Sequence, residues 1–227
     1  MPNWVRNQVT ITGSRASVDA LQEKVGASTQ IPGKELEKTT NAEGKEIFSL
    51  NEDGSYIYKD VIRTDEDPGF SFWNIVRPEG EALENYSENW YDWNVSNWGC
   101  KWDANDVETI DFSAGHWHLS FDTPWGSPME VFQALSAQFP DVKVHVEWTE
   151  EQGFGAEELY EAGNMETLGE WDIPETHEQY EEVFGEESCY CQYAGDSVED
   201  YPFDDCPRPD GDTRTAVAQL EKISELI

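Results

Sequence analysis

Polar and apolar side chains alternate along the first residues of the chain with the period of a β-strand. This pattern covers residues 3–12 and predicts a strand with unlike faces. Apolar residues then recur at spacings of three and four over 18–25, which indicates an amphipathic helix. Ser14 or Ser17 supplies a capping oxygen for this helix, and Gly26 ends it. The chain is therefore predicted to start with a strand followed by a helix.

The same two periods return in the middle of the chain. The elements they predict are a strand over 70–76, a helix over 79–98, strands over 107–112 and 116–121, a helix over 129–139 and a strand over 142–148. The resulting order, β-α-β, an excursion and β-α-β, matches the ferredoxin-like split β-α-β plan. The predicted fold is thus α+β, an antiparallel sheet with two helices on one face, and both β-α-β units can cross over right-handed.

Two segments fall outside this pattern. Residues 27–69 are polar, and their alternating patches at 47–50 and 56–58 flank an Asn-Glu-Asp-Gly turn, which predicts an insertion with a small β-ribbon. We therefore expect a ferredoxin-like domain over 1–170, followed by an acidic arm and a short helix over 171–227.

The C-terminal helix is predicted from one apolar face. Ala216, Leu220, Ile223 and Ile227 share that face behind a polar cap at Asp212 and Thr213, which favours docking or homodimer formation through this helix.

Charge changes the picture most. The chain has 48 acidic and 14 basic residues, a formal net charge of −34 and an isoelectric point near 4.1. Residues 150–212 alone contain 21 acidic residues and one basic residue, Arg208, and so carry −20 of this charge. The same segment contains nine aromatic residues, which indicate a partly ordered arm that packs against another surface, because disordered acidic tails usually lack such residues.

The charge excludes some partners and favours others. Binding a phosphate backbone requires cations, so direct contact with nucleic acid or an anionic membrane is not expected. The field steers the protein toward basic protein surfaces instead. A simpler alternative is that the charge serves only solubility or adaptation to high salt. No apolar run is long enough for a secretory signal or membrane span, so we expect a cytoplasmic protein.

A block rich in tryptophan, NWYDWNVSNWGCKWD, occupies residues 89–103. Nucleobase stacking would need a basic groove, whereas this block has one lysine among acidic residues. We expect a buried structural cluster in which Trp90 and Trp93 pack on the sheet, while Trp98 and Trp102 flank the turn at Gly99 and bury its loop. The alternative is a protein-binding hot spot, for which Trp98 is the candidate contact.

Histidine and cysteine residues provide two candidate metal sites. His116 and His118 point the same way on a predicted strand, near Asp103, Asp106 and Asp111, but no third ligand stands at a diagnostic spacing.

The second candidate comprises Cys189, Cys191 and Cys206, with His177 upstream. Their spacing lacks the usual zinc knuckle, and a disulfide or free thiols are alternatives in a reducing compartment. Cys100 stands alone. No cofactor is expected.

Four segments resemble a known family. They are MPNWVRNQVTITG, NWYDWNVSNWGCKWDAND, LSFDTPWGSP with the following helix that ends LSAQFP, and VEWTEEQGFGAEELYEAG. Together they resemble the phage- and plasmid-borne YubB-like proteins, Api-type phage accessory proteins with a ferredoxin-like domain. The resemblance spans residues 1–170 without the 27–69 insertion. It implies the ferredoxin-like fold and a mobile-element origin, and it brings no catalytic residues.

The chain contains no Gly-rich phosphate loop, nucleophile elbow or zinc-protease motif, so we expect no enzyme activity. The leading hypothesis is a phage accessory protein that inhibits a host defence complex, as anti-CRISPR or anti-restriction proteins do. It would occupy a basic, nucleic-acid-binding surface of a host protein or ribonucleoprotein by charge mimicry. The alternatives are a metal-binding protein or metal-dependent enzyme, and a structural or assembly partner of the phage.

The residues expected to contact the partner are the acidic positions of the arm and one tryptophan. They are Glu175, Glu178, Glu181, Glu182, Glu186, Glu187, Asp196, Glu199, Asp200, Asp204, Asp205 and Trp98.

Overall fold

The structure is a computed structural model that describes residues 3–174 and the single positions 176, 179, 182, 183 and 185. The chain divides into two compact units. One unit contains residues 1–151 and 156–169, and the other contains 152–155 and 170–227. The first unit holds the helices named below and nearly all of the sheet.

In residues 3–174, the elements follow one another in this order. They are β1 (Trp4–Gly13), α1 (Arg15–Val25), β2 (Thr29–Leu36), β3 (Lys38–Thr40), β4 (Glu46–Phe48), β5 (Tyr58–Asp65), a 3₁₀ helix (Phe72–Asn74), α2 (Glu81–Glu84), α3 (Tyr86–Trp98), β6 (Asn105–Ser113), β7 (His116–Pro124), α4 (Met129–Gln138), β8 (Val142–Glu150), β9 (Gly155–Glu161) and β10 (Asn164–Trp171).

One sheet organises these elements. Its six strands stand in the order β10-β9-β8-β1-β7-β6, and β1 pairs antiparallel with both β7 and β8. Strand β6 pairs antiparallel with β7. Because α1 follows β1 and α4 joins β7 to β8, the path β1-α1-β6-β7-α4-β8 is the split β-α-β arrangement. The ferredoxin-like domain and its antiparallel sheet are therefore confirmed.

The core lies on one face of this sheet. Side chains alternate along β1 and β8, so every second residue is buried and its neighbours are not. The fully buried apolar residues of the sheet, α1 and α4 form one cluster that includes Val9, Ile11, Val18, Leu21, Leu119, Phe121, Phe132, Leu135, Val144 and Val146. On the opposite face of β1 stand the polar side chains of Arg6, Gln8, Thr10 and Thr12.

Helix α1 begins as its cap predicts. The Ser14 side chain accepts a hydrogen bond from the Ser17 backbone N–H at 3.1 Å, which satisfies one of the free donors at the helix start. Gly26 stands at the C-terminal end.

The strand predicted over 70–76 is wrong, because this segment contains the 3₁₀ helix Phe72–Asn74 and the second strand of the fold is β6. The backbone N–H of Phe72 and the hydroxyl of Ser71 both donate to the carboxylate of Asp103 at 2.6 Å. Because the Asp103 carboxylate accepts these hydrogen bonds, the donors need no partner from a neighbouring strand. The aromatic residues of the segment can therefore be buried without strand pairing.

The helix predicted over 79–98 is interrupted. It consists of α2 and α3, which are separated at Asn85. The Asn85 side-chain amide donates to the Glu81 carbonyl oxygen at 2.9 Å, a local side-chain bond of the kind that competes with helical backbone bonding.

Between α1 and the 3₁₀ helix the chain forms two small antiparallel sheets. Strand β2 pairs with β5, and β3 pairs with β4. A single bridge joins Leu50 and Tyr56 across the turn at Asn51–Gly54.

The helices of the described residues are too short or too polar to span a membrane.

The turn between β6 and β7 supports a first prediction. Gly115 has a φ of +77°, and a Cβ at this position would lie 2.4 Å from the Gly13 carbonyl oxygen. Gly115→Ala should therefore lower the free energy of unfolding by about 3 kcal/mol, because it combines an unfavourable backbone conformation with a clash against β1. Urea denaturation followed by circular dichroism measures this loss.

Gly54→Ala is the matched control. Gly54 has a φ of +85° and no atom within 4 Å of an added Cβ, so only the conformational cost of about 1 kcal/mol applies. Equal losses in the two variants would contradict the role assigned to the contact with Gly13.

Asp103 supports a second prediction. Besides Ser71 and Phe72, its carboxylate accepts from the Ala104 backbone N–H at 2.8 Å. Asp103→Ala leaves these donors without an acceptor and should lower the free energy of unfolding by about 3 kcal/mol in urea denaturation. Asp92→Ala, which removes an exposed carboxylate from α3, should change it by less than about 0.5 kcal/mol. A similar small effect for both variants would rule out the anchoring role.

Candidate binding surface around Lys101

Helix α3 divides its aromatic side chains between the core and the surface. Tyr86, Trp90 and Trp93 recur at spacings of four and three and pack toward the core. Trp98 is only 1% exposed, and its indole N–H donates to a backbone carbonyl oxygen at 2.8 Å. Tyr91 points outward and keeps 42% of its surface exposed.

A glycine in the left-handed conformation reverses the chain after α3. Gly99 has a φ of +79°, the usual conformation for a residue that ends a helix. The Asn94 side chain then donates to the Lys101 carbonyl oxygen at 2.9 Å, which holds the reversed loop against the helix. Trp102 follows with 38% of its surface exposed. The loop therefore presents Lys101 and Trp102 at the surface.

Asp103 fixes the other end of this loop. Its hydrogen bonds with Ser71, Phe72 and Ala104 tie the loop to the segment that enters the core. Burial raises the pKa of Asp103 above its ordinary value, although the hydrogen bonds act in the opposite direction. Cys100, a free thiol beside this site, is also buried, and burial raises its pKa.

Aromatic rings surround the side chain of Lys101. Its ammonium nitrogen lies 4.5 Å from the ring centroid of Trp102, 5.2 Å from that of Trp125 and 5.8 Å from that of Tyr91. These distances are within the range of a cation–π interaction. Trp4, at the start of β1, extends the group with its ring centroid 6.0 Å from that of Trp102. We call these five residues the Lys101 cluster.

Trp125 enters the cluster from a strained backbone. Its φ is +74°, a conformation that bulky residues rarely adopt. The Trp125 N–H donates to the Asn3 carbonyl oxygen at 2.9 Å, and the Thr123 hydroxyl donates to the Gly126 carbonyl oxygen at 2.7 Å. These bonds hold the turn while 47% of the Trp125 side chain stays exposed. This turn therefore places the large Trp125 ring at the surface and not in the core.

The cluster has the composition of a protein-binding site. Exposed tryptophan and tyrosine are enriched among residues that dominate binding energy, because their rings bury a large area with few torsions to fix. In residues 3–174, no carboxylate forms an ion pair with Lys101, whose ammonium group contacts the rings instead.

The cluster was only partly predictable. Trp98, the expected partner contact, is buried, and the exposed tryptophan of the block is Trp102. The expectation that Trp102 buries its loop is wrong, because the reversal at Gly99 directs its ring outward. Trp125 was missed, although its position between a proline and a glycine is a signal of a turn and not of a core strand.

The histidine pair lies on the open face of the sheet. The His116 Nε2 atom is 3.6 Å from the Asp111 carboxylate, and the register places His118 and His145 on either side of Thr10. His145 has its own partner, Glu157, at 2.7 Å. Within the described residues, no group of three or more His, Cys, Asp or Glu side chains is arranged to hold a metal ion.

The other predicted site residues lie outside the described residues, with one exception. Glu182 is described and exposed. Cys189, Cys191, Cys206 and the predicted C-terminal helix also lie outside the described residues. The acidic positions outside them are Glu175, Glu178, Glu181, Glu186, Glu187, Asp196, Glu199, Asp200, Asp204 and Asp205.

A cavity of about 510 Å³ lies between the β2-β5 sheet and α3. Its wall includes Lys34 and Arg63, but both cations have partners within the protein. Lys34 forms an ion pair with Glu88, and the Arg63 guanidinium donates to the Lys34 carbonyl oxygen at 3.0 Å. The cavity is therefore a weaker candidate site than the Lys101 cluster.

Comparisons with known proteins agree with this fold. Residues 97–190 match the family described as a ferredoxin-like domain in Api92-like protein, a range that contains β6 to β10 and leaves β1 and α1 outside. The crystal structure of a protein api92 from Yersinia pseudotuberculosis is similar to this chain with a TM-score of 0.54 and 14% sequence identity. The likeness covers 77% of this chain and 99% of that one.

No curated protein matches the sequence. At this level of identity, the likeness to the crystal structure concerns the fold alone. The chain thus contains a ferredoxin-like domain similar to that of Api92-like proteins.

Proposed function

We propose that this chain is a non-enzymatic accessory protein that binds a basic protein surface by charge complementarity. The observation that carries this proposal is the distribution of charge. Residues 3–174 contain 33 acidic and 11 basic residues, so the described fold has an excess of 22 carboxylates. This excess of negative charge produces a field that attracts cationic surfaces.

The charge is not confined to the predicted arm. Eight of the 21 acidic residues between 150 and 212 lie at or before position 172, within or next to strands β8 to β10. Residues 175–227 add 15 acidic and three basic residues. A partner surface therefore meets negative charge both on the folded domain and along the following chain.

In its most concrete form, the proposed function is counter-defence. A protein that binds the nucleic-acid site of a host defence protein or ribonucleoprotein prevents that site from binding its DNA or RNA. The resemblance of the chain to phage- and plasmid-borne YubB-like proteins supports this setting, as does a net charge of the same sign as nucleic acid. It would act in the host cytoplasm.

Salt and competition with nucleic acid provide the test. The tagged protein is incubated with host lysate at about 50 mM and about 500 mM salt, and duplex DNA is added as a competitor. We expect a captured host protein that is released both by salt and by DNA. The acidic protein, the added DNA and the salt anions all interact with the same cationic side chains of the host protein. Failure to find a host protein released by DNA would overturn the proposal.

A charge variant localises the interaction. Glu181, Glu182, Glu186 and Glu187 are replaced together by glutamine, which should weaken binding of the captured protein by about tenfold at low salt. The matched control replaces Glu35, Glu37, Glu43 and Glu52 of the β2-β5 region and removes the same charge. Unchanged affinity in the first variant would contradict a role for the arm, and equal losses would assign the effect to net charge.

A further inference from the structure

We propose that Tyr91, Trp102 and Trp125 form a cage for a cationic side chain of a partner protein, and that Lys101 occupies this cage as an internal stand-in. The preferred occupant is an arginine guanidinium. The inference deepens the proposed function by naming the group that is bound, and it rests on that function only for the identity of the partner.

The geometry of the cage is that of a cation site. Three rings from three separate parts of the chain approach one ammonium nitrogen, at 4.5, 5.2 and 5.8 Å. The rings of Tyr91 and Trp125 contact each other edge to face, with centroids 6.1 Å apart, so they form adjoining walls. Such rings attract any cation placed over their faces, whether it comes from the same chain or from another.

Lys101 is held by few interactions and can be displaced. The bond from Asn94 reaches its backbone carbonyl oxygen and does not involve the side chain. Within residues 3–174 the ammonium group has no carboxylate partner, so leaving the cage breaks no ion pair. An exposed cation–π contact is a weak interaction, which the cation of a partner protein can replace.

The exposed surface of the cage is not explained by packing. Tyr91, Trp102 and Trp125 are 42%, 38% and 47% exposed, whereas Trp98 and Trp117 fill the core at 1%. The strained φ of Trp125 independently indicates a functional position, since such strain persists where the surrounding structure imposes it and is common at binding sites.

Charge complementarity identifies the occupant. An excess of 22 carboxylates in the described residues repels anions and concentrates cations near the surface. A guanidinium group is more weakly hydrated than an ammonium group and stacks flat on indole rings. Arginine is therefore better suited than lysine to replace Lys101, and arginine is also the usual side chain of surfaces that bind nucleic acid.

The test uses blocked arginine, N-acetyl-arginine-amide, as the probe. Its neutral isostere, N-acetyl-citrulline-amide, is the control ligand. Binding is measured from the ¹H–¹⁵N shifts of the indole groups, which single Trp→Phe substitutions at positions 102 and 125 assign. Lys101→Met removes the competing cation from the cage while it keeps the apolar stem, and we expect it to raise affinity for blocked arginine at least about fivefold over the parent protein.

Lys143→Met is the matched control for charge. Lys143 lies on the exposed face of β8 and pairs with Glu161, so its replacement changes the net charge equally and leaves the cation of Lys101 in the cage. We expect this variant to bind blocked arginine with nearly the parent affinity. Trp125→Leu in the Lys101→Met background should abolish the gain.

Three results would overturn the proposal. They are equal affinity in Lys101→Met and Lys143→Met, equal binding of the citrulline probe, and retained binding after Trp125→Leu. Should Lys101→Met lose the dispersed spectrum of a folded protein, Lys101→Gln is subjected to the same comparison. The two proposals can fail separately, because the probe is a small molecule. If the probe does not bind, salt-sensitive capture of a host protein can still be observed. If no host protein is captured, binding of the probe can still be observed.

Discussion

The carboxylate of Asp103 connects the parts of this structure that distinguish it from a plain split β-α-β domain. It accepts hydrogen bonds from Ser71 and Phe72 on one segment and from Ala104 on another. Because partial burial removes much of the water around this carboxylate, the three donors replace hydration that it loses. In the folded domain, Asp103 therefore holds the segment of Ser71 and Phe72 against the loop that follows α3.

This anchoring has consequences on both sides of the loop. On the inner side it places Phe72 against Trp98 and Phe121, with ring centroids 5.7 and 5.6 Å away, and Phe70 stacks on Phe121 at 5.3 Å. Large rings thus supply the burial that a chain with 37% hydrophobic residues would otherwise draw from aliphatic side chains. On the outer side, the same loop displays the lysine and tryptophan that precede Asp103.

Net charge and aromatic content act together in this protein. Self-repulsion among carboxylates opposes folding, and a dense aromatic core offsets it. The core already contains its own tryptophans, so the rings of Trp4, Tyr91, Trp102 and Trp125 are additional to it. An acidic surface with an exposed aromatic cluster combines long-range attraction for basic partners with a compact area for close contact.

Hydrophobic periodicity correctly predicted the strands and helices in which apolar and polar residues recur regularly. The strand that starts the chain, the helix behind Ser14, the helix from Met129 and the last predicted strand all alternate apolar and polar residues at one clear period. Prediction failed at 70–76, where aromatic residues suggest a strand. Their backbone donors are satisfied by Asp103, which lies about thirty positions further along the chain, and no local pattern reports such a bond.

By itself, the sequence determined the charge, most of the strands and helices of the central sheet, and hence the fold class, because these depend on composition and on spacing between near neighbours. Only the tertiary structure decided which tryptophans are core and which are surface. Trp98 and Trp102 are four positions apart with similar neighbours, yet the left-handed turn at Gly99 buries one and exposes the other. The cage around Lys101 likewise arises where α3, its following loop and the end of β7 meet, and this proximity exists only in the folded chain.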